Sequence, residues 1–432
     1  MNEKLQITSP KRSRPRTGWE GFFPYYAGYP ETFAKALLQS ARLRKGATVL
    51  DPWNGSGTTT FAAAQLGVAA IGYDINPVMV VIARARMLAL SEADSLEPLG
   101  QAIVARAKKA AKQAPPTDPI RTWFCPGSAA AIRSLEGAIR HQLVGSLTMT
   151  TEGNKIDKIS STAATFYVAL FSVCRGLVRK FQGSNPTWLT VPKHHSSKVR
   201  VTARELHSRF IQTVREMAAA LEARSNQGEL WLEEQGAWQV HLGDSTQAAV
   251  EPGSIDLILT SPPYCTRIDY AAATRVELAV ASTLIETTFE KLGRSMVGST
   301  RVPLHPIPQR DDWGTTCHEL LRGIEAHPSK ASSGYYLKTH LDYFDKLSRS
   351  LDHLSASLKP GGSAIFVAQD SYYKDVHTDL PGIMTEMLLY RGLSLAQRKD
   401  FPLVRSMSSI HRHSRRYGRV KTAVEAVLCF RK

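Results

Sequence analysis

The sequence predicts an α/β protein on a mostly parallel, doubly wound sheet with helical insertions, and three stretches carry that prediction. Residues 47–50 form a short apolar run that passes through a glycine-containing loop straight into an Ala-rich helix (51–67). A second strand over 69–73 ends in Asp74. Residues 255–259 are apolar with one polar interruption and stop at Ser261-Pro262-Pro263-Tyr264. Strands separated by helical patterns of this length make parallel units, because a parallel neighbour is reached only through a long crossover.

Composition sets the bounds. The 432 residues suit one large domain with insertions, or two domains. Lys and Arg outnumber Asp and Glu by 54 to 38, which favours a polyanionic partner over an acidic metabolite. The five cysteines (125, 174, 265, 317 and 429) are scattered without metal-ligand spacing, so they read as reduced thiols of a cytoplasmic protein, with Cys265 a small packing residue. The amino terminus has charge but no apolar segment, and no later stretch is long enough to span a bilayer, so a soluble, unexported protein is expected.

In chain order, residues 1–18 are polar, with Lys11, Arg12, Arg14 and Arg16 close together, and read as a flexible basic arm. An aromatic loop, GFFPYYAGYP, leads into an amphipathic helix with Phe33, Ala36, Leu37 and Ala41 on one face. In the glycine loop, DPWNGSGTTT, Gly55 and Gly57 leave room for backbone N–H groups to approach a ligand. A dinucleotide fingerprint wants Gly or Ala where this chain has Thr60, and no GK[ST] follows, so neither nucleotide motif fits. Asp51 and Asn54 suit an ammonium group better than a pyrophosphate. Asp74, about 20 residues after the loop, is placed to accept from ribose hydroxyls.

Helical patterns follow over 77–113 and 121–143, then a helix at 161–181 and an amphipathic helix at 202–224 with Leu206, Phe210, Val214, Met217 and Leu221 on one face. Between Ile159 and Arg204 there are seven Lys or Arg and no acid, which makes either a solvated face or, as favoured here, a phosphate-contacting surface. A strand at 238–242 runs into Gly243-Asp244. The two prolines of the turn at 261–264 have fixed φ and no N–H, so the turn is stiff and its carbonyls remain acceptors beside an aromatic ring. A flat base with an exocyclic amino group, once out of the duplex, needs acceptors and a ring to stack on; an ordinary proline turn is the competing reading. Beyond it, Arg267, Asp269 and Arg275 either orient nucleic acid or pair with each other. Residues 290–335 read as a loop-rich insertion, 336–358 as a strong helix ended by LKPGG, 363–369 as a strand, 380–391 as a helix and 423–430 as the last strand.

TSPPY resembles motif IV of the S-adenosylmethionine-dependent amino-methyltransferases of DNA. TVLDPWNGSGTT with IGYDINP resembles their motifs I and II, FPYYAGYPETFAKAL their motif X, and GDS their motif III. The resemblance implies a Rossmann-like class I methyltransferase fold and S-adenosyl-L-methionine as cofactor. It implies cofactor contacts from Tyr25, Tyr26, Gly28, Asp51, Asn54, Gly55, Gly57, Thr58, Asp74, Asn76, Gly243 and Asp244; Tyr25 and Tyr26 alternatively cover the sheet edge. Catalysis falls to Ser261, Pro262, Pro263 and Tyr264, the last stacking on the base.

In that family Ser at the first motif IV position goes with cytosine N4, and Asp or Asn with adenine N6, so Ser261 implies cytosine N4 methylation. Adenine N6, or guanine N2 in RNA, are the alternatives, and a cofactor-sensing DNA-binding module without turnover is the non-enzymatic one. No metal is required, and the lack of a Pro-Cys nucleophile argues against cytosine C5. DNA is the expected partner in preference to RNA, with a cognate restriction enzyme as a candidate partner and phage defence as the setting. Arg175, Arg179, Lys180, Arg267, Arg412, Arg415 and Arg416 are the expected nucleic-acid contacts. The expected organisation is an arm (1–18), a cofactor-binding half (19–149), a basic helical insertion (150–235), a catalytic part (236–289), the loop-rich insertion (290–335) and the second half of the sheet (336–432).

Overall fold

The computed structural model describes residues 5–11, 17–23, 28–145, 155–183, 189–226, 237–247, 250–265, 269–301, 303, 305, 307–402 and 423–432. Its centre is a seven-stranded sheet of β1 (Thr48–Asp51), β2 (Ala69–Asp74), β3 (Trp238–Leu242), β4 (Ile255–Thr260), β5 (Leu358–Gln369), β8 (Ser394–Pro402) and β9 (Val424–Arg431); β6 (Ser371–Tyr373) and β7 (Val376–Thr378) form a separate hairpin. The order across the sheet is β3-β2-β1-β4-β5-β9-β8. The first five strands in that order pair in parallel, and β9 runs antiparallel to both β5 and β8. The doubly wound, Rossmann-like class expected from the sequence is therefore borne out. Strand order reverses between β1 and β4, which is where an open α/β sheet leaves a crevice at the carboxyl ends of its strands.

Side-chain alternation explains why the central strands are covered on both faces. Leu50, Ile258, Ala364, Phe366, Leu428 and Phe430 point to one face, where Leu347, Leu351 and Leu354 of the helix Leu337–Ser357 and Met384 and Met387 of the helix Leu380–Tyr390 meet them. Val49, Leu257, Leu259, Ile365, Val367 and Val427 point to the other, against Phe33, Leu37 and Leu38 of the helix Glu31–Ser40. Each fully buried Leu, Ile or Phe contributes about 1.5–3 kcal/mol, so slipping a strand by one residue is strongly disfavoured.

The helices Ser161–Leu177 and Ala203–Asn226, in the stretch expected to be an insertion, bury Phe166, Leu170, Phe210 and Met217 in the same apolar cluster as Val78 and Val81 of the helix Pro77–Arg86. Basic side chains occupy only what that burial leaves over.

Three expectations are corrected. Residues 290–335 are not mainly loop: the helix Thr315–Ala326 places Cys317, Leu320, Leu321 and Ile324 at helical spacing and buries all four, with Trp313 beside them. The LKPGG stretch does not end at a turn before a strand; β5 starts at Leu358 and absorbs the glycines as an irregularity in register opposite β4, with Ile255 facing Leu358 and Leu257 facing Ser363. The amino-terminal stretch does contribute to a core: Ile7 is buried against the cluster of Phe33 and Val427, and Leu5 exchanges hydrogen bonds with the Gln397 side chain, covering the exposed edge strand β8. Among the described residues no helix is long and apolar enough to cross a membrane.

Candidate active site

The carboxyl ends of β1 and β4 open onto one cleft. Its border takes in Gly28 and Tyr29, the glycine-loop residues Asp51, Trp53, Asn54, Ser56, Thr58 and Thr59, and Ser261, Pro262, Pro263 and Tyr270. Two stretches some 200 residues apart in sequence thus line one space, because β1 and β4 are hydrogen-bonded neighbours.

Asp51 ends β1 and is almost wholly buried. Its Oδ1 accepts from the Trp53 amide (3.1 Å) and the Thr260 hydroxyl (2.6 Å), and its Oδ2 from the Thr59 hydroxyl (2.6 Å). Burial pushes its pKa up to about 6 against the pull of those donors. The Tyr29 hydroxyl lies 2.6 Å from that of Thr59. Asp74, at the end of β2, holds the loop from outside: Oδ2 accepts from the Gly55 amide (2.9 Å) and Oδ1 from the Asn76 amide (2.8 Å). Burial outweighs both bonds and, with the charge of Asp51 nearby, raises its pKa to about 7.

Three buried polar atoms on this border have no partner among the described residues: Trp53 Nε1, Asn54 Nδ2 and Ser56 Oγ. Unsatisfied buried groups are uncommon in folded proteins, and these three are available to bond a ligand or water at the cleft.

At the motif IV turn, the Ser261 hydroxyl donates to the Val367 carbonyl of β5 (3.0 Å), and the Tyr343 hydroxyl donates to the Pro263 carbonyl (2.7 Å). The Tyr264 amide donates to the Tyr270 hydroxyl (3.0 Å). Among the described residues nothing donates to the Pro262 carbonyl. Tyr264 is half-buried with its hydroxyl enclosed, which pushes its pKa far up, an effect the charge of Glu425 reinforces. The aromatic residues lining the cleft are Tyr29, Trp53 and Tyr270, and Tyr264 lies next to Pro263, which also lines it.

Several expected cofactor contacts have other employment. Gly57 adopts φ +78°, and a Cβ there would lie 2.9 Å from the Ala83 Cβ, so its small size serves the packing of the helix Pro77–Arg86. Asn76 caps that helix by accepting from the Val78 amide (3.1 Å) and spends its amide on Thr274 Oγ1 (2.8 Å). A Cβ on Gly243 would strike the Tyr73 ring at 2.7 Å. Asp244 closes its own turn on the Thr246 amide and hydroxyl. Thr58 borders the cleft and accepts from Arg86, while Gly28 sits on the rim with φ +119°. Tyr25 and Tyr26 lie outside the described residues.

Of the expected nucleic-acid contacts, Arg175 is committed internally, donating to both oxygens of Glu277 (2.7 and 2.5 Å) and to the Ala273 carbonyl. Arg179 and Lys180, one turn beyond, are exposed, with Lys180 reaching the Ser197 carbonyl. Arg267, Arg412, Arg415 and Arg416 lie outside the described residues. Sequence reasoning missed Tyr29, Thr59, Tyr270 and Tyr343. Tyr29 belongs to the aromatic run already singled out, and Tyr270 follows the turn by six residues; Tyr343 carries no local signal.

Residues 4–85 match the model of the N6/N4 methyltransferase family described as DNA methylase. The Type II methyltransferase M.BsoBI of Geobacillus stearothermophilus is 26% identical over 463 residues, taking in 97% of this chain and 86% of that protein. Among solved structures, the rRNA methyltransferase aviRa from Streptomyces viridochromogenes aligns over 94% of this chain and 87% of that one at 11% identity and a TM-score of 0.28, a likeness too loose to carry an argument. The resemblance read from the motifs, to amino-methyltransferases of the N4/N6 type, is supported by both sequence matches.

Proposed function

We propose that this chain, similar over 97% of its length to a Type II methyltransferase, transfers a methyl group from S-adenosylmethionine to the N4 amino group of a cytosine extruded from DNA. The observation that carries the reading is the single cleft shared by the glycine loop and the Ser-Pro-Pro turn. Methyl transfer needs donor and acceptor in line within one water-poor space, and this cleft brings the two motifs to one.

The residues present fit the cofactor. Asp51 keeps a lone pair on Oδ2 for an ammonium, and the unpartnered Trp53 Nε1, Asn54 Nδ2 and Ser56 Oγ supply donors for a carboxylate. Asp74, fixed by two backbone amides, is assigned to the ribose. When bound, S-adenosylmethionine supplies a methyl group activated by a sulfonium. The chain's part is to ready the amino nitrogen. Ser261 donates its O–H to the Val367 carbonyl in a hydrogen bond, so toward an incoming amino group its oxygen acts as an acceptor, and the Pro262 carbonyl takes the second N–H. Two acceptors draw the nitrogen lone pair out of conjugation with the ring. That charge arrangement favours the transition state, in which the nitrogen becomes cationic, over the ground state.

The kinship with a Type II methyltransferase supports DNA as substrate and a restriction-modification setting, with a cognate restriction enzyme as partner. Incubation with labelled S-adenosylmethionine and either DNA or RNA, followed by nucleoside analysis, should yield N4-methylcytosine in the DNA. N6-methyladenine would move the reading to adenine, N2-methylguanine in RNA would move it to RNA, and binding of cofactor and DNA without any transfer would leave a sensing module.

A further inference from the structure

Tyr270 stands outside every motif used so far. It opens the short helix Tyr270–Ala273, whose start is fixed by Asp269 Oδ1 accepting from the Ala272 amide (2.9 Å). The residue is half-buried where it borders the cleft, beside Ser261 and Pro262, and its hydroxyl is enclosed deeply enough that burial pushes its pKa well up. A phenol accepts and donates at once. The accepting side is filled by the Tyr264 amide at 3.0 Å. The phenolic proton has no acceptor among the described residues. An amide donating to the oxygen also polarises the O–H bond and makes it a better donor.

Resting on the function proposed above, we propose that Tyr270 donates its proton to the ring nitrogen beside the target amino group, N3 of cytosine, and so selects bases by that edge. Ser261 Oγ and the Pro262 carbonyl accept while Tyr270 donates, a pattern complementary to an amino group flanked by a ring acceptor. Cytosine and adenine (through N1) present that edge. On its Watson–Crick edge guanine presents N1–H beside its amino group, so in that orientation two donors would face each other and the base is disfavoured by an unpaired, desolvated group. Donation to the ring nitrogen orients the base and does not activate the amino nitrogen, so the effect falls on kcat/KM more than on kcat.

The test uses the full-length protein and a duplex oligonucleotide carrying its site, mapped by sequencing DNA from cells that express it. One strand set holds the natural target base and the other its analogue with the ring nitrogen replaced by C–H, 3-deazacytosine (1-deazaadenine if adenine proves to be the target). The wild type should lose about tenfold in kcat/KM on the analogue, the scale of one neutral hydrogen bond. Tyr270→Phe should lose a similar factor or more on the natural base and show no further loss on the analogue. Equal rates of the wild type on both bases would overturn the proposal, and that arm stands even if Tyr270→Phe folds poorly. Equal losses by Tyr270→Phe on both bases would also overturn it, leaving the residue as a support for the Tyr264 amide. If expressing cells yield no modified base, the amino-methyltransferase reading itself fails and takes this proposal with it, an outcome distinct from the other two.

Discussion

The Ser261 hydroxyl and the Val367 carbonyl are 3.0 Å apart, with the hydroxyl donating across the junction of β4 and β5. The bond turns a group that could donate or accept into one that can only accept from a ligand. Ser261→Ala removes that acceptor and should slow single-turnover methyl transfer about 10- to 100-fold, matching the ~1.5–3 kcal/mol of a hydrogen bond to a charged group. Cofactor affinity should hold, since the change is felt mainly as the nitrogen becomes cationic. A wild-type rate in the folded variant would remove Ser261 from the chemistry.

Two carboxyls, Asp51 buried and Asp74 half-buried, give the ligand-free protein a distinctive pH response. Asp51 titrates at about 6 and Asp74 at about 7 in the fold, against roughly 4 in the unfolded chain. Between about pH 4 and 7 the native state therefore binds more protons than the unfolded one, so these two groups make stability fall as pH rises through that window. Urea midpoints measured from pH 4.5 to 7.5 should show the fall, and the double variant Asp51→Asn with Asp74→Asn should lack it. Cofactor affinity should move the other way, strengthening as the carboxylates ionise to meet an ammonium and ribose hydroxyls. Affinity independent of pH across this range would argue against both assignments.

Much of this arrangement was legible before any coordinates, and the limit has a physical form. The glycine loop and Ser261–Tyr264 stand out because each is a contiguous stretch whose backbone demands are written in Gly and Pro. Sequence shows that a small residue is needed at Gly57 and a polar one at Asn76, but not that each also has a protein neighbour: Ala83 in one case, Val78 and Thr274 in the other. Arg175 read as a free cation because its partner, Glu277, lies 102 positions away. Tyr343 reaches Pro263 across 80 positions. What escaped, beyond the helix Thr315–Ala326 and the strand β8, are pairings between side chains far apart in the chain.

Gly57→Ala tests that distinction. The new methyl carbon would sit 2.9 Å from the Ala83 Cβ and 3.1 Å from its Cα, on a residue held at φ +78°. The variant should lose about 1–3 kcal/mol of stability through left-handed strain and overpacking. Thermal melting should register this directly, and the fraction that stays folded should bind S-adenosylmethionine nearly as the wild type does. An unchanged melting temperature with lost binding would return Gly57 to a role at the ligand.

The exposed cations beyond the helix Ser161–Leu177 give the nucleic-acid prediction. Arg175, at the carboxyl end of that helix, joins Ala273 and Glu277 in the segment following the Ser-Pro-Pro turn, and Arg179–Phe181 is the next turn of the chain. Arg179 and Lys180 point outward there. Replacing both with Ala should weaken DNA binding and reduce the slope of log K against log salt by about 1–2, at an unchanged melting temperature, because each phosphate contact accounts for roughly 0.9 of slope. Arg175→Ala should behave oppositely. Glu277 would be left buried with its partner gone, at a cost of roughly 2–3 kcal/mol, and the salt slope should stay where it was. Titrations of the two variants against a non-specific duplex between 50 and 200 mM salt separate the cases. A salt slope lowered by Arg175→Ala alone would place that guanidinium on phosphate after all, and its ion pair with Glu277 would then have to open when DNA binds.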